Sequence, residues 1–408
     1  MSGRWAVLGF LVALSIITYL DRVCISVAGV RIQEDLGIAP EHWGWVLGVF
    51  SIAYGLFEIP TGALGDRYGQ RRVLTRIVVW WSAFTILTGF ASSFGLLLLT
   101  RFLFGMGEAG AYPNMAGTIG RWFSSTERAR AHGAIWAASR VGGALSPVIV
   151  GPMMASMGWR PAFYVFGCVG VVWALLWSAW YRDPPSGEAS PSSHAEMPWA
   201  ELLRSRQFWI ILAMAWCYGW GAIFFLSWFP TYLEKARGLS EKELTYCAAL
   251  PFVMGAIGNL AGGAITDRLS RAYGLKTGRR LVGSVSLALS SLFFLTTALT
   301  SGKVVGVIAL TLGYGAMDCM LPASWANCVD MGGRHGGAVS GAMNSVVQVG
   351  GFLSTVLFGY LMRSSGSYNA PLFVIAPMLL ISAVLFARID PTRPLIPATP
   401  GKEEVVCA

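Results

Sequence analysis

Long runs of apolar residues, each about the length of a membrane-crossing helix, alternate with short polar segments along this chain. A helix that crosses the hydrocarbon core of a bilayer needs about 20 mainly apolar residues. Twelve such runs are present, and each is predicted to be one transmembrane helix. Their approximate limits are 5–29, 42–63, 73–93, 95–118, 130–155, 161–181, 208–233, 244–265, 281–301, 304–328, 337–362 and 369–388. The first run lacks a cleavage site and exceeds a signal-peptide core, so we expect it to be retained.

The composition agrees with an all-α membrane protein. Of the 408 residues, 55% are hydrophobic and only 12% are charged, whereas soluble domains carry about 25% charged residues. The net charge of +9 comes from bases scattered between apolar runs, which argues against a nucleic-acid partner. No phosphate-binding loop, metalloprotease, hydrolase or paired-cysteine metal motif is present. We therefore expect no enzyme activity and no cofactor, with a proton gradient as the energy source.

The positions of the basic residues predict the orientation. When the N-terminus is placed inside, 20 of the 30 Lys and Arg residues fall in cytoplasmic segments, 7 in external loops and 3 within spans. Cytoplasmic segments of membrane proteins carry such an excess of Lys and Arg. Both termini are therefore predicted to be cytoplasmic, in a multi-pass protein of the plasma membrane, which would be a bacterial inner membrane.

The chain divides near its middle into two similar halves. A Pro-, Ser- and Glu-rich stretch interrupts the apolar runs, and the segment Gly62 to Arg67 (GALGDR) has an echo 201 residues later in Gly263 to Arg268 (GAITDR). Such repeats indicate two bundles related by an axis along the membrane normal. We predict two pseudo-symmetric six-helix bundles. The boundaries are 1–182 for the first bundle, 183–207 for a cytoplasmic linker, 208–389 for the second bundle and 390–408 for a cytoplasmic tail.

The segment Gly62 to Arg72, GALGDRYGQRR, resembles the loop signature of the major facilitator superfamily. The resemblance extends over the whole chain in length and repeat spacing, and it implies the major facilitator fold. It also implies that these residues latch the helices of a half together on the cytoplasmic side, although a simple basic loop is the alternative. The predicted gating residues are Gly62, Asp66, Arg67, Arg71, Asp267, Arg268 and, one turn above Gly62, Glu58.

Seven ionisable residues lie within the predicted spans, where each charge costs on the order of 3 kcal/mol. They are Asp21, Arg22, Glu58, Arg101, Glu108, Arg140 and Asp318. Arg101 and Glu108 are two helical turns apart and so share one helix face. Guanidinium groups bind carboxylates, and a partly desolvated acid can take up a proton, so this set suits coupled anion and proton binding. A static lattice of ion pairs is the alternative.

A narrower resemblance is carried by Tyr19-Leu-Asp21-Arg22, by Tyr54, and by the segment from Arg101 to Pro113 (RFLFGMGEAGAYP). These residues resemble the anion:cation symporter branch, which includes sugar-acid and hexuronate transporters, sialin and the vesicular glutamate transporters. The resemblance implies proton coupling by Asp21 and Glu108, with Arg101 interacting with Glu108. It implies that Arg22 engages the substrate carboxylate.

Other polar residues extend the predicted substrate site. Sugar-monoacid carriers of this branch have a neutral residue at about the place of Arg140, so a second carboxylate or an aromatic acid is a possible ligand; alternatively Arg140 balances Glu108 or Asp21. Asp318 has no basic partner in the second-half spans, so a protonated or water-facing state is expected. The resemblance favours recognition of sugar hydroxyls by Ser324, Asn344 and Gln348, with Trp325 packing on the substrate, although polar stripes also join helices. The predicted substrate-binding residues are Arg22, Arg140, Tyr19, Tyr54, Ser324, Trp325, Asn344 and Gln348.

The sequence therefore predicts a monomeric secondary transporter that takes up a small organic anion, such as a sugar acid, hexuronate or other carboxylate, together with protons. Its partners are the anion, protons and the lipid bilayer. An organophosphate or anion exchanger, or a drug efflux carrier, on the same fold is the alternative. A non-transporting receptor would leave the charges within the spans unexplained.

Overall fold

The computed structural model describes residues 2–123, 125–182, 199–333 and 336–396. Within these ranges the regular structure is entirely helical. Each predicted apolar run coincides with one helix or with two consecutive helices. The helices are α1 (Ser2–Val27), α2 (Gly29–Leu36), α3 (Pro40–Tyr68), α4 (Gln70–Gly89), α5 (Phe94–Glu108), α6 (Ala111–Trp122), α7 (Ser125–Met157), α8 (Arg160–Trp180), α9 (Trp199–Arg204), α10 (Arg206–Ser227), α11 (Phe229–Arg237), α12 (Glu241–Cys247), α13 (Leu250–Tyr273), α14 (Leu275–Leu299), α15 (Lys303–Cys319), α16 (Leu321–Gly332), α17 (Gly336–Ser365) and α18 (Leu372–Arg388).

Nine helical stretches among the described residues are long and apolar enough to cross a membrane, by length and composition. Their outer surfaces carry large exposed apolar side chains, including Leu260 and Leu299. Exposed apolar surface of this kind is stable in contact with lipid tails rather than with water. The chain is therefore a multi-pass membrane protein.

Two of the predicted runs are broken near their middle, directly after an acidic residue. Helix α5 ends at Glu108, and α6 begins at Ala111 after Gly110 has adopted a φ of 87°. A Cβ at Gly110 would also lie 2.4 Å from Thr61 Oγ1, so both the conformation and the space require glycine. Helix α15 likewise ends just after Asp318, and α16 restarts at Leu321. Broken helices of this kind line the central sites of transporters.

The first half of the chain, α1 to α8, packs against the second half, α9 to α18, mainly through α3 and α17 and through α7 against α12 and α13. Helices α3 and α17 approach so closely that a Cβ on Gly44 would lie 2.8 Å from the Thr355 carbonyl oxygen. Small residues permit such close contact between helices in a membrane. The two halves are thereby in direct contact through these helices.

Parts of the predicted linker and of the predicted tail are among the described residues. Residues 183–198 of the linker lie outside the described residues, but α9 and the start of α10 lie within its predicted limits. The tail packs against the second half, because Lys276 Nζ lies 2.7 Å from Asp390 Oδ2 and the Leu395 amide donates to the Met331 carbonyl oxygen at 2.8 Å. Lys276 and a hydrogen bond from Thr392 hold the pKa of Asp390 at about 2. Residues 397–408 lie outside the described residues.

Candidate functional site

Arg22 and Glu108 form a buried ion pair at the centre of the first half. The Nε atom of Arg22 donates to Oε1 of Glu108 at 2.5 Å, and both side chains are almost inaccessible to solvent. The expected interaction of Glu108 with Arg101 is not an ion pair. Residues two turns apart on one helix are separated by about 10 Å along the axis, whereas Arg22 reaches Glu108 from the adjacent helix α1.

Aromatic rings surround the Arg22 guanidinium on several sides. Its Cζ atom lies 4.5 Å from the ring centre of Tyr54, 5.2 Å from that of Phe50 and 5.4 Å from that of Tyr19. Cation–π contacts of this kind stabilise a guanidinium away from water. The Nη2 atom of Arg22 is buried and has no hydrogen-bond partner. Arg22 thus has one buried donor atom without an acceptor, and Tyr19 and Tyr54 lie beside its guanidinium.

Asp21 and Arg101 lie next to this pair without an ion pair of their own. Both carboxylate oxygens of Asp21 are buried, and neither accepts a hydrogen bond of good geometry, although the donor groups of Trp81 and Thr85 lie close to the carboxylate. The guanidinium of Arg101 rests on the ring of Phe104, with Cζ 4.4 Å from the ring centre, and acts electrostatically on Asp21 and Glu108. Burying an ionised carboxylate without a partner is costly. This carboxyl therefore has the surroundings of a proton-binding group.

Arg140 and Asp318 form a second buried ion pair, which joins the two halves. The guanidinium binds the carboxylate through two nitrogens, with Nε 3.0 Å from Oδ2 and Nη2 3.1 Å from Oδ1. Its Nη1 atom donates to the Tyr314 hydroxyl at 2.8 Å, and Asn259 Nδ2 donates to Asp318 Oδ2 at 3.1 Å. Among the described residues, no base of the second-half spans pairs with Asp318, but Arg140 of the first half does. The expectation of a water-facing state was wrong, because the carboxyl is fully buried. Arg140 accordingly balances neither Glu108 nor Asp21.

Glu58 also contacts the other half. Asn344 Nδ2 donates to its two carboxylate oxygens at 2.9 and 3.1 Å. Glu58 lies one turn below Tyr54 and within electrostatic range of Arg22. The structure thus brings Glu58 together with a predicted substrate-binding residue and with the Arg22 cluster.

The remaining predicted substrate-binding residues differ in whether they contact the other half. Trp325 faces the first half, with its ring centre 5.9 Å from that of Trp136, and Trp136 stacks on Tyr112 at 4.9 Å. Ser324 is buried and donates to Met343 Sδ at 3.2 Å, so it packs within its own half. Gln348 is buried with its carbonyl oxygen unpaired.

Two aromatic residues that lie beside Trp325 were not predicted from the sequence as site residues. Tyr112 belongs to the motif that follows Glu108, and Trp136 lies one helical turn before Arg140. Their closeness in sequence to Glu108 and Arg140 could have indicated both residues.

Only some of the predicted gating side chains are among the described residues. The side chains of Gly62, Asp66 and Arg67 lie outside the described residues, and Arg71 Nε donates to the Ser178 carbonyl oxygen at 2.8 Å. Asp267 and Arg268 are exposed, and among the described residues neither forms an ion pair. At this end of the second half, Arg279 Nη2 instead pairs with Asp330 Oδ2 at 2.6 Å.

Within the described ranges, three ion pairs join the halves at the predicted outer face. They are Arg31 with Glu241, Arg363 with Glu41, and Lys235 with Glu34, the last at 2.9 Å. Trp45 Nε1 also donates to the Tyr360 hydroxyl at 3.1 Å. This face is therefore bridged by polar contacts between the halves. In the described part of the chain, no group of three or more His, Cys, Asp or Glu residues is placed to hold a metal ion.

Several similar proteins are named as transporters of organic anions. A probable sulfoacetate transporter of Cupriavidus necator is 33% identical, over 95% of this chain and 94% of that protein. A hexuronate transporter of Bacillus subtilis is 29% identical, over 97% and 96% of the two chains. A probable L-galactonate transporter of Escherichia coli is 30% identical, over 88% and 83%.

A comparison with solved structures also finds a transporter fold. A solved bacterial homologue of the human lysosomal transporter Spinster superimposes with a TM-score of 0.82 at 20% identity, covering 98% of this chain and 100% of that one. The profile of the Major Facilitator Superfamily matches residues 11–355. The chain therefore belongs to the Major Facilitator Superfamily and is a membrane transporter rather than an enzyme.

Proposed function

We propose that this protein is a proton-coupled symporter that imports a small organic anion by alternating access. Twelve spans would form two six-helix bundles that rock about a central site, with both termini in the cytoplasm. The anions named for the relatives, which are sulfoacetate, hexuronate and L-galactonate, support an organic acid as the substrate class. The arrangement around Arg22 supports both the anion and the proton.

The observation that carries the proposal is that the Arg22 guanidinium uses only part of its hydrogen-bonding capacity. Glu108 accepts from its Nε atom, Nη2 has no acceptor, and Asp21 lies nearby with no cation paired to its carboxylate. Protonation of Glu108 would weaken its bond to Arg22 and leave more of the guanidinium for a substrate carboxylate. A proton on Asp21 would remove a buried unpaired charge. Proton binding and anion binding would therefore favour each other.

Residues from both halves would complete the substrate site. Tyr19 and Tyr54 flank Arg22, and Trp325 with Asn344 approach from the second half. Substrate contacts that bridge the halves would be made and broken as the halves rock. Such contacts allow binding energy to be coupled to the change of state.

The outer ion pairs would hold the substrate-releasing state, in which the outer face is closed. Opening to the outside requires these pairs to separate and the predicted cytoplasmic gating residues, including Asp66 and Asp267, to engage. A pair in which both side chains are exposed contributes about 0–0.5 kcal/mol, and the pair of Arg363 with the buried Glu41 contributes more. The closed outer face could therefore open without a large barrier from any single pair.

The test is uptake into proteoliposomes with an imposed pH gradient, inside alkaline, using radiolabelled sulfoacetate, glucuronate and galactonate separately. Wild type should accumulate at least one of these anions above its external concentration. Glu108→Gln should abolish accumulation while retaining counterflow, because the variant still binds the anion but cannot exchange the proton. The matched control is Glu201→Gln, at an exposed carboxylate of α9. Accumulation by Glu108→Gln at the wild-type level would refute the coupling role. Uptake that requires a counter-anion and ignores the gradient would instead indicate an exchanger.

A further inference from the structure

Glu58 lies in the interface between α3 and α17, which joins the two halves. Three glycines of α3 make close contacts with α17 along this interface: Gly44, Gly48 and Gly55. One turn after Gly55, Glu58 is a buried carboxylate, 6% exposed, and Asn344 of α17 donates to its two oxygens at 2.9 and 3.1 Å. A contact between the halves is therefore made by a titratable group.

The three arginines of the predicted spans do not pair with Glu58. Two of them hold Glu108 and Asp318. The third, Arg101, lies beside Phe50, with Cζ 5.4 Å from the ring centre; Phe50 precedes Glu58 by eight residues, or about 12 Å along the helix. Burying an ionised carboxylate that has an amide donor but no cation is costly. The neutral acid is therefore an accessible state of Glu58.

Glu58 lies one helical turn from the contacts of Arg22. Tyr54 precedes it by four residues and shares its helix face, and the ring centre of Tyr54 is 4.5 Å from Arg22 Cζ. An anion bound to the Arg22 guanidinium is thus on the order of 10 Å from the Glu58 carboxylate, because one turn of helix adds about 6 Å. At an effective dielectric constant of about 20, two like charges at this distance weaken each other's binding about 10- to 20-fold.

The charged and titratable groups that face Glu58 in the described part of the chain come from three helices. They are Arg22 on α1, Tyr54 on α3 and, beyond Arg22, Glu108 on α5. The other helices that pack on this end of α3 contribute neutral polar groups, which are Asn344 on α17, Asn114 on α6 and Gln70 on α4. The charge of Glu58 therefore acts mainly on Arg22 and on an anion bound to it.

Asn344 links the charge of Glu58 to the position of the second half. Its amide hydrogens stabilise the ionised carboxylate, because hydrogen bonds to a charged acceptor are stronger than those to a neutral one. Movement of α17 away from α3 at this level removes both bonds. The balance between the ionised and the neutral form of Glu58 then changes with the relative position of the halves.

We propose that Glu58 is a proton-binding residue that sets the affinity of the site for its anion. Ionised Glu58 repels an anion at Arg22. When one proton from solvent adds to a Glu58 oxygen, the repulsion is lost, no covalent bond breaks, and Arg22 keeps all its protons. A bound anion favours this protonation to the same extent. The inference rests on the proposed function, in which the anion binds Arg22, and it leaves Glu108 as the acid that drives accumulation.

The experiment measures binding of sulfoacetate, glucuronate and galactonate, separately, to the purified full-length protein by titration calorimetry from acidic to alkaline pH. Buffers of different ionisation enthalpy give the number of protons taken up with the anion. Glu58→Gln keeps the side-chain shape and an acceptor for Asn344 but cannot ionise. At alkaline pH it should bind the anion about 10- to 20-fold more tightly than wild type, with equal binding at acidic pH and fewer protons taken up in between. Glu201→Gln, at an exposed carboxylate of α9, should match wild type throughout.

A second variant tests the role of Asn344. Asn344→Leu removes the amide donor, so the pH at which binding weakens should move to a higher value than in wild type, whatever the change in affinity itself. The charge-neutral double variant Glu58→Gln/Asn344→Leu avoids an unpaired buried charge and should show the same pH dependence as Glu58→Gln.

Two results would overturn this inference while leaving the proposed function in place. One is equal binding of an accumulated anion by wild type and Glu58→Gln at alkaline pH, and the other is an unchanged pH dependence in Asn344→Leu. A wild type that binds none of the three anions would overturn the inference together with the proposed function.

Discussion

The three outer ion pairs differ in burial, so their removal should have unequal effects on the closed outer face. The side chain of Glu41 is 6% exposed while that of its partner Arg363 is 68% exposed. In the pair of Lys235 with Glu34, the two side chains are 39% and 63% exposed. Arg363→Gln therefore leaves a buried carboxylate without a cation, whereas Lys235→Gln leaves a hydrated one.

The expected magnitude follows from these exposures. Breaking a fully buried pair costs about 3–5 kcal/mol; the exposure of Arg363 to water reduces this to about 1–2 kcal/mol. The penalty applies only while the outer face is closed, because opening hydrates Glu41. Arg363→Gln should therefore shift the balance toward the outward-open state about 5- to 30-fold. Lys235→Gln should shift it by less than about twofold, since exposed pairs contribute about 0–0.5 kcal/mol.

The assay is the distribution of distances between spin labels on Met157, in the first half, and Leu299, in the second, both exposed. The labels are placed in a cysteine-free background and measured by pulsed electron resonance. The longer-distance population should grow in Arg363→Gln and stay near wild type in Lys235→Gln. An unchanged distribution in Arg363→Gln, or equal shifts in the two variants, would refute the reasoning from burial.

Three further predictions concern other parts of the molecule. Gly110→Ala should lower the free energy of unfolding by about 1–3 kcal/mol, because a side chain is strained at a φ of 87°; an unchanged thermal midpoint in detergent would contradict this. Asn344→Asp places a second carboxylate against Glu58, so uptake should fall at alkaline pH and recover on acidification, and a pH–rate profile identical to wild type would contradict it. Lys303 lowers the pKa of Glu243 from 4.5 to about 2, so the stability it adds is present above pH 4.5 and is lost as the pH falls to 2. The difference in thermal midpoint between wild type and Lys303→Gln should vanish over that range, and a difference that persisted at pH 2 would rule out the ion pair as its source.

The positions of the helices could be predicted because lipid imposes a simple requirement. Every backbone polar group must be bonded within the membrane, so each apolar run becomes a helix. The breaks were harder to predict. Gly110 carries a signal for the break after α5, but at Ala28, between α1 and α2, no proline marks the break and the backbone stays close to helical. Hydropathy averages over such a site and therefore misses it.

The composition of the site could be predicted better than its pairings. Any ionised group within a span needs a partner or a function, and this identified Asp21, Arg22 and Glu108. Helix periodicity reports which residues share a face, but not which helix that face meets. Arg140 and Asp318 are on different halves of the chain, so no local pattern could connect them.

The Arg140–Asp318 pair also constrains how the protein is made. The first half is inserted into the membrane first. Arg140 therefore lacks its partner Asp318 until α15 has been inserted. The second half, produced alone, would hold Asp318 in lipid with no counter-charge. Each half thus supplies a charge that the other needs, and the first half acts as an assembly partner for the second during synthesis.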